Sequence, residues 1–549
     1  MVQGETIPQK TISRLKISVV VCNRNLFDHS INGVTWLALE DYRETPNIQE
    51  AYQLIGEIYT AQFADGSKVT EEVVYKGHEL VWYFQKGTYL RHLLPYLEWK
   101  SLLSMFRSYA TVYVHDARSE TLKLFVAFCE AYQIELIIPT SPVNRLKKTI
   151  MSGYIALSQV IKLAASLTSL LVLAIQRPRL LVWQGSDIIN MDDYDFRYAH
   201  IYQELRRRDI KFVEFLRSSQ PIPRLLKNIL IRRRPVIYHD SSLLLSPFIP
   251  SILARRLKRR IDKKLPPLKN EETGLTRFYL LLVSLQFEYC FHLKHSSIFL
   301  KWVIKAIGLK ACFTPAAPYR NGAVLLACKL LRVPIVGIQA SNSVRFYEIE
   351  EYYPGIDVHA PSPACDIWGV WSSYYRDYLI RHSRVYNDTN TFVSGPMRPL
   401  IDSASNENLA GAMGDQSKIR VLLISEPLTE PHEITPYVEK IIEEPSLKLS
   451  VKCRPDRTDN IIRQIKQHSD VDLLTGSLEE AYSRSDVVMG SRSTAVIEGM
   501  VAMKPIVLLA TRKWGDFFEC EEGKFGVFVK GPDQVVSGIR TAAGTPPEE

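Results

Sequence analysis

Paired cysteines are absent from this chain. Its eight cysteines (Cys22, Cys129, Cys290, Cys312, Cys328, Cys365, Cys453 and Cys520) stand singly, none in a Cys-x-x-Cys pair, and several fall in apolar strand-like runs. That excludes a zinc ribbon and a disulfide framework and points to a reducing compartment. No internal repeat of fixed period and no long low-complexity tract occurs, which excludes solenoid and fibrous architectures. An Asp-x-Asp metal motif in a convincing loop is missing, since the clustered acids of Met191 to Phe196 read as a solvated helix start. The opening "MVQGETIPQKTISRLKISVVVC" is polar before its first apolar run and lacks the apolar core of a signal peptide, so a cytoplasmic location is expected.

What is present is the composition of a folded protein. Hydrophobic residues make up 46% and charged residues 23% of 549 residues, enough chain for two or three domains. The net charge is +9, which suits nucleic acid, an anionic membrane or an acidic substrate. Nucleic acid is set aside because no aromatic-interleaved basic strand or recognition motif accompanies the basic runs. Those runs are Arg206 to Arg208, Arg232 to Arg234 and "ARRLKRRIDKKLPPLK" from Ala254 to Lys269. They read either as solvated helix faces or as a docking surface for anionic lipid.

One long apolar segment stands out, Met151 to Gln176, with Lys162 its single charge. It is long enough to cross a bilayer, but a lysine near the centre costs about 2.5–3.5 kcal/mol on insertion scales. Ser158, Lys162, Ser166 and Ser169 recur at helical spacing and form one polar stripe. Both flanks are basic (Arg145, Lys147 and Lys148, then Arg177 and Arg179), so charge asymmetry sets no orientation. Three readings stay open: a helix packed on the protein, a helix lying on a membrane, and a span.

Elsewhere short apolar strands alternate with amphipathic helices. In the last third, "IRVLLIS", "LKLSVK", "VDLL", "DVVMG" and "PIVLL" are strands, with helices between them. Strands joined by helices of this length predict a parallel sheet with right-handed crossovers, hence a doubly wound Rossmann-like domain. "KACFTP", "PIVGIQ", "CDIWGVWS" and "NTFVSGP" continue the rhythm upstream, and "KISVVVCNRN", "TVYVHDARS" and "RLLVWQGSD" begin it. The expected domains are residues 1–400, with a helical, basic insertion at about 141–300, and residues 419–549. The Ser-, Asn- and Gly-rich 401–418 would be the linker.

The turn Gly490-Ser491-Arg492-Ser493-Thr494 follows the strand "DVVMG" and opens a helix. A helix start carries unpaired N–H groups and about half a positive charge, which suits an anion. Gly490 would allow close approach, the hydroxyls would donate, and Arg492 could chelate two phosphate oxygens. Glu498, on the same helix face as Thr494, could take two ribose hydroxyls. The plainer role for Ser493 or Thr494 is an N-cap.

"GSRSTAVIEGMVAMKPIVLL", together with "PIVGIQASNS", "PACDIWGVWSSYYRDYLI", "FVSGPMRPLID" and "LKLSVKCRPDRTD", resembles the GT-B glycosyltransferases over roughly residues 310–530. The pattern is similar to the branch of capsule-polysaccharide enzymes, polysialyltransferases and CDP-glycerol glycerophosphotransferases. The resemblance implies an α/β fold of two Rossmann-like doubly wound domains facing a cleft. It implies metal-independent transfer of a sugar, or in a related enzyme of a polyol phosphate, with no cofactor beyond the nucleotide-activated donor. The acceptor would be a glycan or a polyprenyl-phosphate-linked precursor, used by a cytoplasmic enzyme peripheral to the inner face of the cell membrane. An anionic membrane surface would be met through residues 145–179 and 206–269.

Donor binding would fall to Arg454, Gly490, Ser491, Arg492, Ser493, Thr494 and Glu498, with Gln339 and Ser341 in the cleft. The chain departs from the branch at two places. Gln339-Ala340-Ser341 replaces Gln-His-Gly, and Arg454-Pro455 replaces His-Pro. The first glutamate of the Glu-x7-Glu motif of retaining members is Gly490 here. Candidates for the base that takes the acceptor proton are His115, Asp116, Asp187 and Glu426, with His432 close by. Asn23 to Asn25 could meet the acceptor. Two other readings remain: a UDP-GlcNAc 2-epimerase-like enzyme of the same fold, and a non-catalytic GT-B-like binding or scaffold protein. The turn argues against the first, which usually carries Gly-Gly and paired acids there. The missing histidine at Ala340 favours the second.

Overall fold

A computed structural model describes residues 19–22, 34–114, 119–138, 142–184, 199–232, 234–245, 249–314, 318–339, 353–395, 418–425, 429, 431–453, 471–512, 515–516, 518–520 and 525–545. The strands divide between two compact units. The first unit carries two parallel sheets, and the second carries one.

The smaller sheet of the first unit is built from β1 (Val19–Cys22), β2 (Thr35–Ala38), β3 (Thr111–Val114) and β4 (Glu135–Ile137) in the order β2-β1-β3-β4. The larger has seven strands: β5 (Leu180–Gln184), β6 (Phe212–Leu216), β7 (Val236–Tyr238), β8 (Ala311–Thr314), β9 (Ile335–Ile338), β10 (Ile367–Val370) and β11 (Thr391–Val393). Their spatial order is β11-β10-β9-β8-β5-β6-β7, all parallel. The chain therefore starts in the middle, winds to one edge, returns to the middle and winds to the other.

The 141–300 span expected as a helical insertion is rich in helix. It holds α1 (Pro142–Gln176), α2 (Ile222–Ile231), α3 (Ile249–Lys264) and most of α4 (Phe287–Ile307). It also supplies β5, β6 and β7, so it builds one half of the larger sheet rather than decorating it. The basic runs are partly consumed inside this half. Glu214 of β6 is fully buried and accepts from Tyr202 Oη at 2.7 Å and from Arg234 Nε, with Arg232 at 3.8 Å. On α3, Lys258 pairs with Glu130 and Asp262, and Lys264 with Glu72 at 2.7 Å and Asp65 at 3.2 Å.

α1 lies along the edge strand β7. Ser166 Oγ accepts the Tyr238 N–H at 2.9 Å, and Ser169 Oγ accepts the Val236 N–H at 3.3 Å. Lys162 Nζ donates to Asp240 Oδ2 at 2.7 Å and to the Ser218 carbonyl. The polar stripe is thus the buried side of the helix, and Lys162 is only 3% exposed. Edge strands present unpaired backbone groups that proteins commonly cover, and here serine hydroxyls do so. The opposite side of α1, with Leu157, Leu167, Leu171 and Ile175, faces outward.

The second unit holds β12 (Ile419–Ile424), β13 (Leu447–Lys452), β14 (Asp472–Leu474), β15 (Val487–Gly490), β16 (Ile506–Leu509) and β17 (Val527–Val529) in the order β14-β13-β12-β15-β16-β17. All pairs are parallel. Val421, Leu423, Val487, Met489, Val507 and Leu509 project from one face onto α5 (Pro431–Ile442) and the C-terminal helix Val535–Gly544. Val488, on the other face, meets Gly499 of α6 (Thr494–Val501), where an added Cβ would lie 3.2 Å from it. Covering on both faces explains why the central strands read as unbroken apolar runs. The sixth strand, β17, was not anticipated, and the helix expected over Arg457 to His468 and nearly all of the 401–418 linker lie outside the described residues.

Candidate functional site

In sequence order the six strands of the second unit lie 3-2-1-4-5-6. In sheets of this kind the loops after strands 1 and 4 part to opposite faces, leaving a crevice at the carboxyl ends. β12 is strand 1 and β15 is strand 4, so the turn Gly490 to Thr494 stands at that crevice.

Thr429, from the loop after β12, and Ser491 share a hydrogen bond between their hydroxyls at 2.9 Å, and both are buried. The two sides of the switch point are therefore pinned together by side chains. Ser493 occupies the N-cap of α6 with extended backbone (φ −70°, ψ 133°), but its hydroxyl makes no capping hydrogen bond. Its carbonyl accepts the Val496 N–H at 2.9 Å and so starts the helix. Tyr482 Oη donates to the Ala495 carbonyl and clamps the same turn. Arg492, Ser493, Thr494 and Glu498 are all partly exposed.

Gly490 has a reason other than ligand approach. A Cβ there would lie 2.6 Å from Val496 Cγ2 and 3.2 Å from the Ile424 carbonyl. The first turn of α6 sits so close to β15 and β12 that no side chain fits. The absence of a glutamate at this position is thus enforced by packing.

The rim around the turn includes, besides His432, groups the sequence did not single out. Ser425 follows β12 directly, and its N–H donates to the Lys452 carbonyl at 3.0 Å. Beyond β16, Tyr437 Oη donates to the Ala510 carbonyl at 2.7 Å, and the Arg512 N–H donates to Glu433 Oε1 at 2.5 Å. His432 is exposed in the first turn of α5. The signal for Thr429 was available: it follows the carboxyl end of a strand already recognised.

No family model matches the chain, and no curated protein matches it. Among solved structures it is similar to UDP-GlcNAc 2-epimerase from Methanocaldococcus jannaschii in complex with UDP-GlcNAc and UDP, at 10% identity over 67% of this chain and 94% of that one, TM-score 0.41. It is similar to MurG of Acinetobacter baumannii, at 9% identity over 68% and 93% of the two chains, TM-score 0.40. A glycosyltransferase from Rickettsia africae matches at 11% identity over 67% and 89%, TM-score 0.38.

In the first unit, Gln339 directly follows β9 and is buried. Its Oε1 accepts the Trp371 N–H at 3.0 Å, and its carbonyl accepts Trp371 Nε1 at 2.8 Å. Gln339 therefore clamps the ends of β9 and β10 together. Near the end of β8, Asn321 Nδ2 donates to Thr314 Oγ1 at 2.8 Å, both fully buried. After β7, His239 accepts from Trp183 Nε1 at 3.0 Å through Nε2, and burial lowers its pKa to about 3, with Arg217 and Lys162 adding to the shift. Burial raises the pKa of Asp240 even though Lys162 pairs with it.

His115, Asp116, Asp187, Ser341, Glu426 and Arg454, along with Asn23 to Asn25, lie outside the described residues. His115 and Asp116 follow β3 of the four-stranded sheet, whereas Asp187 follows β5 of the seven-stranded one. The strands that these three candidates follow in sequence thus lie in different sheets. Among the described residues no group of three or more His, Cys, Asp or Glu side chains is placed to hold a metal ion.

Proposed function

We propose that the turn Gly490 to Thr494 binds the diphosphate of a nucleotide-activated sugar and that the chain is a GT-B glycosyltransferase. The observation that carries this reading is the position of the turn after strand 4 of a 3-2-1-4-5-6 sheet, with the Ser493 hydroxyl not used as a cap. The motif resemblance over residues 310–530 supports it. The open N–H groups of α6 and the Arg492 guanidinium supply positive charge where a diphosphate would sit. Arg454, two residues past β13 in sequence, would join them, and Glu498, one helical turn further in, would take the ribose.

In the reaction, the bond from the anomeric carbon to the diphosphate oxygen breaks, and an acceptor hydroxyl bonds to that carbon. The hydroxyl proton passes to a base, for which His115, Asp116, Asp187 and Glu426 are the candidates. Charge grows on the departing diphosphate, and the cationic turn stabilises it. The acceptor is a surface glycan or a polyprenyl-phosphate-linked precursor, met in the cytoplasm at the inner face of the membrane. The reaction as written needs no metal and no further cofactor.

Calorimetry with nucleoside diphosphates tests the site. Arg492→Ala and Ser493→Ala should each weaken binding by about 1–3 kcal/mol, the range for hydrogen bonds to charged groups. Unchanged affinity in both variants would remove the turn from the donor site. A thermal-shift screen of UDP-, GDP-, CDP- and CMP-sugars should show one base stabilising the fold by mass action. With that donor, nucleotide release coupled to acceptor modification marks a transferase. An epimerised donor marks an epimerase, and binding without turnover marks a scaffold.

A further inference from the structure

α1 is amphipathic the wrong way round for a soluble protein. Its polar stripe is buried and its apolar side is exposed, with Leu171 at 72% and Ile175 at 86%. From Met151 to Ile175 the exposed apolar side runs about 36 Å at 1.5 Å per residue. α2 extends it sideways. Ile229 of α2 packs in one cluster with Ile161 and Ala165 of α1, and the Ile222 N–H donates to Tyr154 Oη at 2.7 Å. Leu226 and Leu230 of α2 are exposed beside them, Leu230 at 85%. Soluble proteins seldom leave so large an apolar patch open to water unless it is an interaction surface.

The charge around the patch has one sign. The sequence holds no acidic residue between Glu135 and Asp187, and none between Glu214 and Asp240. Arg177, Arg179, Arg224 and Lys227 are exposed, and none has an acidic partner among the described residues. On α3, Lys258 and Lys264 do have acidic partners, in Glu130, Glu72 and Asp65. A second copy on this face would set cations against cations across a two-fold axis. An anionic surface complements them.

We propose that the outward side of α1, with Leu226 and Leu230 of α2, lies in the interfacial layer of an anionic bilayer. The helix lies along the membrane and does not cross it. Lys162, Ser166 and Ser169 hold its stripe to β7 and Asp240. Both β4 before it and β5 after it belong to the same compact unit, so its ends do not part to opposite sides of a membrane. Apolar side chains enter the boundary between headgroups and acyl chains, and the arginines meet the lipid phosphates.

The test uses the full chain without nucleotide, so its outcome is separate from that of the donor-site reading. Flotation with vesicles of phosphatidylcholine containing 30% phosphatidylglycerol at low salt should carry the protein up. Binding should fall at least tenfold on pure phosphatidylcholine or at high salt. Leu171→Glu with Leu230→Glu should lower it at least tenfold with unchanged circular dichroism, and Arg224→Glu with Lys227→Glu should lower it on anionic vesicles only. Alkaline carbonate should release the bound protein. The proposal is overturned by equal recovery off both vesicle types or by binding that ignores all four substitutions. Carbonate-resistant retention, which marks a span, would also overturn it. So would a dimer in light scattering that Leu171→Glu dissociates, because a second copy would then occupy the face. Should the double variant fail to fold, the charge-reversal pair and the salt series still decide.

Discussion

At the carboxyl edge of the six-stranded sheet, Arg492, Ser493 and Thr494 are partly exposed at a helix start. At the same edge of the seven-stranded sheet, Thr314, Asn321, Gln339, His239 and Ser218 are buried and bonded to their own protein. The six-stranded sheet runs 3-2-1-4-5-6 from its first strand, and the seven-stranded sheet runs the same way with a seventh strand added at the end. Topology alone therefore does not make a ligand site. It brings loops together, and the residues on those loops decide how deeply their polar groups are buried within the fold.

The sharpest way to break this comparison is to remove a spent group. Lys162→Ala leaves Asp240 buried without its cation and should destabilise the first unit by about 3–5 kcal/mol in urea unfolding. A loss below about 1 kcal/mol would mean the pair does not anchor α1.

His239 gives a pH signature. The unfolded chain binds this proton near pH 6.5, whereas the folded protein binds it only near 3. Between those values the unfolded state holds more protons, so stability falls as pH falls, by about 1.4 kcal/mol per unit for one proton. Protonation also removes the Nε2 lone pair that receives Trp183 Nε1–H. His239→Gln should flatten the slope in that window, measured by denaturant unfolding at several pH values. An unaltered slope would transfer the effect to another group.

On the open edge the effects are smaller. Gly490→Ala forces a methyl against Val496 and should cost about 1–3 kcal/mol of stability in the second unit. It should also weaken nucleotide binding as the first turn of α6 moves, which calorimetry would register. Thr429→Val removes the bond to Ser491 and should cost about 1 kcal/mol, seen as a shift in melting temperature.

The alternation of apolar strands with helices was readable because parallel strands buried on both faces leave uninterrupted apolar runs, as "VLLI" and "VVMG" do. The turn after β15 was readable because its polar residues break such a run directly before a helix. Strand order was not readable, since it depends on pairing between segments far apart in the chain. β6 and β7 were passed over because "FVEFL" hides a glutamate and "VIY" is three residues long, both inside a basic stretch. Glu214 makes sense only once Arg232, Arg234 and Tyr202 surround it. The serine stripe of α1 was visible as a period, but its target, the N–H groups of β7, was not. Gly490 looked like room for a ligand, whereas Val496 fills that room.

The seal between α1 and β7 also has a timetable. Ser166 precedes Tyr238 by 72 positions. A ribosome adding 5–20 residues per second takes roughly 4–14 s to cover that distance. For that interval the helix segment is already made while the strand that will hold its serines is not. The nascent chain thus displays a long apolar segment before it owns the sheet that fixes which way the segment faces.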